Sequence, residues 1–449
     1  MNIWVLLGEC AFGALVLFFL LFCFFSFLER EWRAFKKSLF FLLGLIAGNA
    51  LFFLLPIPSR SWIFGILFGF AVACALFFLG APKPKHEIDV GKNQRRIDER
   101  DVIFARFDLK EGTQHFQEYY ERHPEYRPMD DEIRKLPDIL TVAQMKEDPL
   151  LLSLASAEFD FLEQQLGHVA GNTAPEKAGL PPEENSRLIK KVMNYLGADI
   201  CGICSLNRAY VYSHVGRGPE PYGQEIKLDH KHAIVFAVEM DASMISAAPQ
   251  APVIVETGSK YVKAAEISIT AAHFIRRLGY PARAHIAGSN YQAVLPPLGW
   301  EAGLGELGRL GILITDQYGP RVRLGLVTTD LPLIQDQPRN FGVQDFCEKC
   351  QKCAINCPAQ AIPNGEKKRE NDVLKWVLDR EACYRFWRKA GTDCAVCIFV
   401  CPFSKPDNAF HKIIRRAASK SSFFQSLSIW ADDFFYGRSG LRKKAPLDP

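Results

Sequence analysis

Thirteen cysteines stand out in the sequence, and eight of them fall near the carboxyl end. One run reads Cys-x2-Cys-x2-Cys-x3-Cys-Pro, a later run reads Cys-x2-Cys-x3-Cys-Pro, and a single cysteine lies between them. Thiolates at such short gaps can wrap an iron–sulfur cube, and a cysteine followed by proline binds the neighbouring cluster. The spacing therefore predicts two [4Fe–4S] clusters, held by Cys347, Cys350, Cys353, Cys357, Cys383, Cys394, Cys397 and Cys401.

Because the cysteine before each proline is expected to bind the neighbouring cluster, the eight ligands divide into two sets. Cys347, Cys350, Cys353 and Cys401 are expected to hold one cluster, and Cys357, Cys383, Cys394 and Cys397 the other. Because Cys383 lies eleven residues before Cys394, we expect it to arrive from a separate loop. Zinc is the alternative metal, but eight cysteines with no paired histidine and two Cys-Pro endings disfavour it.

Two further motifs are weaker. Cys201 and Cys204 form a CxxC inside an apolar strand pattern with no second pair nearby, so we interpret them as packing residues. The run from Gly303 through Gly305 to Gly308 resembles the GxGxxG fingerprint, yet no strand is predicted before it and no acid follows at about 20 residues in a βαβ unit. We interpret this run as a turn.

Composition limits the class of protein. The chain has 449 residues, of which 48% are apolar and 23% charged, which excludes a disordered or collagen-like protein. Its net charge of +4 arises from 54 basic and 50 acidic residues, too balanced for a nucleic-acid binder, so we expect no nucleic-acid partner. The length predicts two or three domains.

Three apolar runs precede residue 82, at 10–28, 38–55 and 62–80. Each approaches the roughly 20 residues that cross a bilayer, so residues 1–82 are predicted to be a three-span anchor in the lipid bilayer rather than a cleaved signal peptide. Arg30, Arg33, Lys36 and Lys37 make the first loop basic, and the segment after the third run is also basic, whereas the second loop has only Arg60. The positive-inside rule then predicts a multi-pass protein of the inner membrane whose later domains face the cytoplasm.

Acidic residues flank the first apolar run. Glu9, Glu29 and Glu31 could anchor the helix at the interface or could belong to a quinol or proton path, and both interpretations stay open.

The rest of the chain reads as four segments. Residues 83–180 are polar and are predicted to be a linker and wrapping segment of surface helix and loop. Residues 181–340 alternate between helix and strand, with strands near 198–206, 233–240 and 321–330 and a helix over 260–278 that stops at Gly279, which favours an α/β domain. Residues 341–405 form the two-cluster domain, and residues 406–449 a C-terminal segment.

From about residue 88 to residue 437 the chain resembles the corrinoid-dependent reductive dehalogenases. The resemblance rests on both cysteine runs and on the stretches ERDVIFARFDLKEGTQHFQEYYERHPEY, IVFAVEMD, GSKYVKAAE, FIRRLGYPA, AGLGELGRLGILITDQYGPRVRLGLVTTDLPL and WADDFFYG. It implies a nitroreductase-like α/β (α+β) core that holds a base-off corrinoid of the cobalamin type, beside a bacterial ferredoxin-like domain.

The resemblance also implies site residues. Tyr261 matches the tyrosine that protonates the substrate carbon as halide leaves, and a basic residue should lie beside it, because a phenol with a pKa near 10 is a weak acid without a cation. Arg321 and Arg323 are the candidates, and we rank Arg321 first. Asn290 matches a polar residue near substrate and corrinoid, and Gly305 and Gly308 are assigned to corrinoid contacts. The alternatives are core packing for Tyr261 and an ordinary turn for Asn290.

The implied reaction replaces the halogen of an organohalide by hydrogen, with electrons from a ferredoxin, a reductase or a quinol-linked protein. Respiratory members carry a twin-arginine export signal and use a separate anchor protein, whereas this chain resembles an enzyme fused to its anchor. Two alternatives remain. One is another corrinoid reductase, similar to epoxyqueuosine reductase, which typically has an acid at the place of Tyr261; the other is a non-catalytic, membrane-anchored electron-transfer subunit.

Overall fold

The computed structural model describes residues 3–54, 62–63, 66, 69, 86–141, 148–288, 291–440, 445 and 447. They fall into two compact units. The anchor unit comprises Met1–His86, Glu348–Cys350 and Pro406–Gly440, and the core unit comprises Glu87–Cys347, Gln351–Lys405 and Leu441–Pro449.

The helices and strands are numbered here in chain order. The helices are α1 (Ile3–Leu28), α2 (Trp32–Phe53), α3 (Ile103–Asp108), α4 (Gln114–Arg122), α5 (Arg127–Arg134), α6 (Pro149–Gln164), α7 (Pro182–Leu196), α8 (Ala242–Ile245), α9 (Ala251–Arg277), α10 (Leu295–Glu301), α11 (Val343–Cys350), α12 (Lys352–Asn356), α13 (Arg380–Ala390), α14 (Val396–Phe399), α15 (Ala409–Lys420) and α16 (Ser422–Phe435). The strands are β1 (Ile200–Ser205), β2 (His232–Glu239), β3 (Ala282–His285), β4 (Gly305–Leu307), β5 (Leu313–Thr315), β6 (Val322–Thr329), β7 (Lys368–Glu370) and β8 (Val373–Lys375).

In the anchor unit, α1 and α2 are long and apolar enough to cross a membrane over Cys10–Leu28 and Trp32–Leu51. They pack against each other, and the Cys23 thiol donates a hydrogen bond to Ser38 Oγ at 3.1 Å. The third predicted run, 62–80, lies mostly outside the described residues. Two apolar helices are therefore seen in the described part of the chain, where three spans were expected.

A four-stranded sheet in the order β1-β2-β6-β3 forms the centre of the core unit. The predicted strands at 198–206, 233–240 and 321–330 are confirmed as β1, β2 and β6. Every neighbouring pair is antiparallel, contrary to the parallel sheet that an alternating α/β pattern suggests. The physical reason is the order of the strands in the sheet. Strands β2 and β3, which α9 connects, are parallel to each other, but β6 lies between them and is antiparallel to both.

Helix α9 lies on this sheet and is longer than predicted. It begins at Ala251 rather than 260, runs for 27 residues and ends before Gly279, where the backbone has φ +84° as the predicted stop requires. The missed first turns contain Val253, Ile254 and Val255, which have modest helix propensity but are fully buried. Burial against α6 compensates for that propensity, because tertiary packing supplies most helical stability.

The charged residues of segment 99–134 predicted a surface segment, but part of this segment is buried. Arg106, which is 2% exposed, donates to both carboxylate oxygens of Asp130 at 2.7 and 3.0 Å and to Glu381 at 2.9 Å. The Tyr120 hydroxyl also donates to Asp130, at 2.8 Å. The charges are thus paired inside a small core, which is how a buried carboxylate and guanidinium avoid an uncompensated desolvation cost.

Candidate active site

Short helices position the eight candidate ligands. Cys347 and Cys350 lie in α11 and Cys353 in α12, and the chain turns between these helices at Gln351, where φ is +52°. Cys357 follows α12, Cys383 lies in α13, Cys394 and Cys397 lie around the start of α14, and Cys401 follows it. None of the eight thiols is part of a disulfide. Cys383 therefore arrives on a separate element, as expected.

Cys397 lies near thiols of both predicted ligand sets. The pKa of its thiol is raised well above the usual value, by burial first and then by the nearby thiols of Cys353, Cys394, Cys383 and Cys357. Burial likewise raises the pKa of Cys347 to about 12, and that of Cys394 to about 12. Such thiols do not ionise readily alone, but a metal that coordinates a thiol deprotonates it outright. This donor set fits an iron–sulfur cluster.

A single metal ion would need a tighter arrangement. Within the described ranges, no three His, Cys, Asp or Glu side chains are close enough to bind one ion. In a four-iron cube, by contrast, each thiolate binds a different iron and the sulfur atoms stand further apart.

Two arginines of the core fasten the ferredoxin-like segment, defined as residues 341–405. Arg309, just after β4, donates from Nε to the Cys347 carbonyl at 3.0 Å and from Nη1 to the Pro363 carbonyl at 2.7 Å. Arg321 donates from Nε to the Ser404 carbonyl at 3.1 Å. Both side chains are almost fully buried, so their hydrogen bonds are needed to offset desolvation.

A third arginine, Arg323 of β6, connects that segment to Tyr261. Its guanidinium carbon lies 5.1 Å from the centre of the Tyr261 ring. Nη2 donates to Thr257 Oγ1 at 2.6 Å and to Asp393 Oδ2 at 3.0 Å, and the Thr257 hydroxyl donates to the same carboxylate oxygen at 2.5 Å. Thr257 lies one helical turn before Tyr261 on α9, and Asp393 directly precedes the ligand Cys394. A phenol and a cation are thus held together, next to a cluster ligand.

The geometry favours Arg323 as the cation beside Tyr261, although Arg321 was ranked first from the sequence. Arg321 lies one residue before β6, is 1% exposed, and donates to the carbonyls of Met240 and Ser404 while pairing with Glu239 at 2.7 Å. Its Nε and Nη1 atoms donate to backbone carbonyls, whereas Arg323 lies over the phenol. The alternation of strand residues fails here because the ladder of β6 begins only at Val322.

Two residues that sequence reasoning missed belong to the same neighbourhood. Tyr291 donates from its hydroxyl to the Leu324 carbonyl at 3.3 Å, and its pKa is raised, by burial first and then by Tyr261, while Arg323 and Arg217 oppose the rise. Arg217 also pairs with Glu99 at 3.5 Å. Tyr291 follows the predicted Asn290 directly, which was a usable signal, whereas Arg217 stands in no motif. Asn290 itself lies outside the described residues.

One buried donor beside Tyr261 lacks an acceptor among the described residues. Nε of Arg323 is buried and makes no hydrogen bond to a described residue, whereas Nε of Arg217 lies 3.5 Å from a carboxylate oxygen of Glu99. Unpaired buried donors are costly, and a ligand with several acceptor oxygens would satisfy them. A corrinoid carries carboxamide side chains and a phosphate, so Arg323 fits such a group.

The glycine run is only partly the expected turn: Gly303 lies in a turn with φ +74°, and the residues after it form a strand. Gly305 begins β4, which pairs with β5. A Cβ on Gly305 would meet the Ile314 carbonyl oxygen at 2.3 Å, and one on Gly308 would meet the Ile314 side chain at 2.4 Å. Close approach of the two strands thus explains both glycines, and their corrinoid contacts stay a prediction.

One carboxyl group near the start of α9 is unusual. Glu158 of α6 lies against Gly258, and its Oε2 is buried without a hydrogen-bond partner among the described residues. Burial, and then repulsion by Glu256, raise the pKa of Glu158 to about 7, although the Ser259 amide opposes the shift. This carboxyl is therefore partly protonated at neutral pH.

Comparison with known proteins identifies the cysteine-rich part first. Residues 346–405 match the 4Fe-4S dicluster domain family. The predicted iron–sulfur domain is thereby confirmed.

Longer similarities extend over the core. The chain is 33% identical over 314 residues to a tetrachloroethene reductive dehalogenase of Desulfitobacterium hafniense, which is 60% of this chain and 55% of that protein. A solved catabolic reductive dehalogenase superposes with a TM-score of 0.64 at 25% identity, covering 81% of this chain and 51% of the other. The same enzyme in complex with 3-bromo-4-hydroxybenzoic acid gives a TM-score of 0.64 at 24% identity, covering 80% and 50%.

These similarities confirm the resemblance to reductive dehalogenases that the motifs predicted, in both sequence and fold. The chain spans about half the length of the relatives it matches.

Proposed function

We propose that this protein is a membrane-anchored, corrinoid-dependent reductive dehalogenase. The observation that carries the proposal is the Tyr261–Arg323–Asp393 arrangement, in which a cation lies over a phenol ring and is hydrogen-bonded to the loop of a predicted cluster ligand. The likeness to reductive dehalogenases supports the reaction class.

The reaction replaces halogen by hydrogen. An organohalide R–X takes up two electrons and one proton and yields R–H and X⁻, so the protein must supply electrons in single steps and a proton at the carbon. The two [4Fe–4S] clusters would carry the electrons. A corrinoid, when bound in base-off form, would supply a low-potential cobalt able to act on the carbon–halogen bond.

Tyr261 supplies the proton in this proposal. Its hydroxyl gives up a proton as the carbon–halogen bond breaks, and Arg323 stabilises the phenolate that remains. Thr257 and Asp393 fix the guanidinium in place and are positioning residues. The Nε donor of Arg323 would bind an acceptor group of the corrinoid or the substrate.

The anchor places this chemistry at a bilayer. Helices α1 and α2, with the apolar run 62–80, would form a multi-pass anchor in the inner membrane. The basic residues between α1 and α2 support an orientation in which the core unit faces the cytoplasm, where a ferredoxin, a reductase or a quinol-linked protein would be the electron donor.

The first experiment is anaerobic purification of the full chain in detergent with corrinoid supplied. Cobalt and iron would be measured per chain, together with halide release from aryl and alkyl halides under a strong reductant. One cobalt, about eight irons and halide release are expected. Iron without cobalt would leave only an electron carrier, and both metals without halide release would leave a corrinoid reductase for another substrate.

A further inference from the structure

The C-terminal helix α16 belongs to the anchor unit and packs on its two apolar helices. The Phe435 ring lies 4.7 Å from the Phe22 ring of α1, edge to face, and the Phe434 ring lies 6.1 Å from the Phe41 ring of α2. Lys37 of α2 donates to the Phe434 carbonyl at 2.8 Å, with its ammonium over that ring. One face of α16 is thereby fastened to the sides of α1 and α2.

These contacts fix the depth of α16 relative to the apolar helices. Phe22 lies six residues before the end of α1 at Leu28, and the charged residues Glu29, Arg30 and Glu31 follow at once. At a rise of 1.5 Å per residue, the contact is about 9 Å inside the end of the helix. Because the apolar span ends at Leu28, this contact lies within the roughly 5–10 Å to which an interfacial helix buries its apolar face below the headgroup boundary.

An apolar strip of α16 continues from Phe434 toward the start of the helix and is partly exposed, and the Trp430 ring stacks on the Phe434 ring at 5.5 Å. Phe423, Leu427 and Trp430, spaced by four and three residues, are 42%, 40% and 61% exposed. We call these three residues the outer stripe. The polar residue Gln425, by contrast, is 1% exposed and faces inward, where Lys349 donates to it at 3.0 Å. The polarity of α16 is therefore inverted relative to a helix on a water-facing surface.

Length excludes a spanning role. Helix α16 has 14 residues, about 21 Å at the α-helical rise, which is too short for a hydrocarbon core of about 30 Å. A short helix with an exposed aromatic stripe is suited to lie along the interface, where tryptophan is enriched.

The neighbouring helix α15 carries exposed positive charge, which is complementary to the anionic headgroups of a bilayer. Arg416 and Lys420 are exposed at a spacing of four residues, and within the described ranges neither side chain makes a hydrogen bond or an ion pair. Cations of this kind are attracted to an anionic leaflet. Lipid is also the environment that suits α2 of the same anchor unit, because Phe40 and Leu43 of this apolar helix are 73% and 57% exposed.

We propose that the outer stripe of α16 lies in the interfacial layer of the lipid bilayer, which makes residues 406–440 a second, non-spanning membrane element. The inference rests on the membrane anchoring included in the proposed function. It assigns to the C-terminal segment a lipid-binding surface separate from the spans.

Site-specific photo-crosslinking in native membranes tests this proposal with the full holoenzyme. Benzoylphenylalanine would replace one residue at a time, at Trp430 in the outer stripe, at Phe40 as the lipid-facing reference, and at Tyr195 of α7, which is 89% exposed in the core unit. After irradiation, mass spectrometry of the labelled peptide would identify the adduct. We expect phospholipid adducts at positions 430 and 40 and none at 195.

The possible failures are distinguishable. Phospholipid adducts at position 40 with none at 430, whether 430 reacts with protein or with nothing, would overturn the interfacial assignment and leave the anchor intact. No phospholipid adduct at position 40 would overturn the anchoring on which the inference rests. Halide release by each labelled holoenzyme reports separately on the proposed reaction.

Discussion

At the scale of single residues, the arrangement that matters most is a phenol beside a guanidinium. Tyr261 and Arg323 come from α9 and β6, and Asp393 and Thr257 hold the guanidinium. In the proposed mechanism, proton donation leaves a negative charge on the phenol, and the neighbouring guanidinium offsets that charge.

Replacing Tyr261 by phenylalanine should abolish proton donation while keeping the ring. We expect halide release to fall by about 10²–10⁴-fold, the usual contribution of a general acid, with cobalt and iron content unchanged. Tyr195→Phe, on an exposed position of α7, is the matched control and should retain activity. Equal activity of the Tyr261→Phe enzyme and the parent would remove Tyr261 from the proposed mechanism.

Substitutions of Arg323 and of Arg321 should change different properties of the enzyme. Arg323→Met is expected to lower kcat at least about tenfold with little change in KM, because the phenolate loses its cation, and Arg323→Lys should recover part of that loss. Arg321→Lys should instead lower the melting temperature, because Arg321 binds backbone carbonyls, and should retain kcat per cobalt. A selective loss of kcat in the Arg321 variant would restore the original ranking.

The stability of the fold should depend on pH through Glu158. Its pKa of about 7 in the folded protein exceeds the ordinary value of 4.5, so the folded state retains a proton that the unfolded state has lost. The free energy of unfolding should therefore fall as pH rises from about 4.5 to about 7 and level off above that range. In Glu158→Gln this contribution should vanish.

Denaturant titrations at several pH values would measure the effect. The comparison variant is Glu184→Gln, at an exposed position of α7, which should follow the parent protein. Parallel pH profiles for the parent and Glu158→Gln would show that Glu158 does not titrate in this range.

At the scale of elements, the sequence predicted what local patterns determine. The apolar runs of β1, β2 and β6 and the glycine at the end of α9 were sufficient to locate those elements. The insertion of β6 between β2 and β3 was not readable, because pairing depends on contacts between segments far apart in sequence.

The candidate site was likewise predictable only in part. The spacing of the cysteines alone was enough to predict the cluster ligands, whereas the pairing of Arg323 with Tyr261 required the relative position of β6 and α9. The commitment of Arg321 to the Met240 and Ser404 carbonyls had no sequence signature either.

One contact within the sheet is especially sensitive. Gly325 of β6 stands opposite Phe236 of β2, and a Cβ on Gly325 would lie 2.2 Å from that ring. Gly325→Ala should lower the free energy of unfolding by about 1–3 kcal/mol, the usual cost of overpacking. Gly365→Ala, where a Cβ meets nothing within 4 Å, should stay within about 0.5 kcal/mol of the parent. Indistinguishable denaturation curves for both variants would contradict the packing seen between β2 and β6.

At the scale of the whole molecule, the cysteines are predicted to divide into ligands and packing residues. Cys397→Ser should remove one of the two clusters and so about half of the iron, because Cys397 belongs to one predicted ligand set. Cys201→Ser should retain all the iron, since Cys201 lies in β1 among packing residues. Iron analysis and electron paramagnetic resonance of the reduced proteins would measure both. Full iron in Cys397→Ser would refute the predicted division of ligands.

The three core arginines have a consequence for how such a protein can be re-engineered. Arg309, Arg321 and Arg323 bind the Cys347 carbonyl, the Ser404 carbonyl and the Asp393 carboxylate, at three separate places in the ferredoxin-like segment. Exchanging that segment for one from another protein would leave buried guanidinium groups without acceptors. The ferredoxin-like segment therefore cannot be exchanged on its cysteines alone. We expect a chimeric protein to function only when the incoming segment provides acceptors at these three places as well as the cysteines.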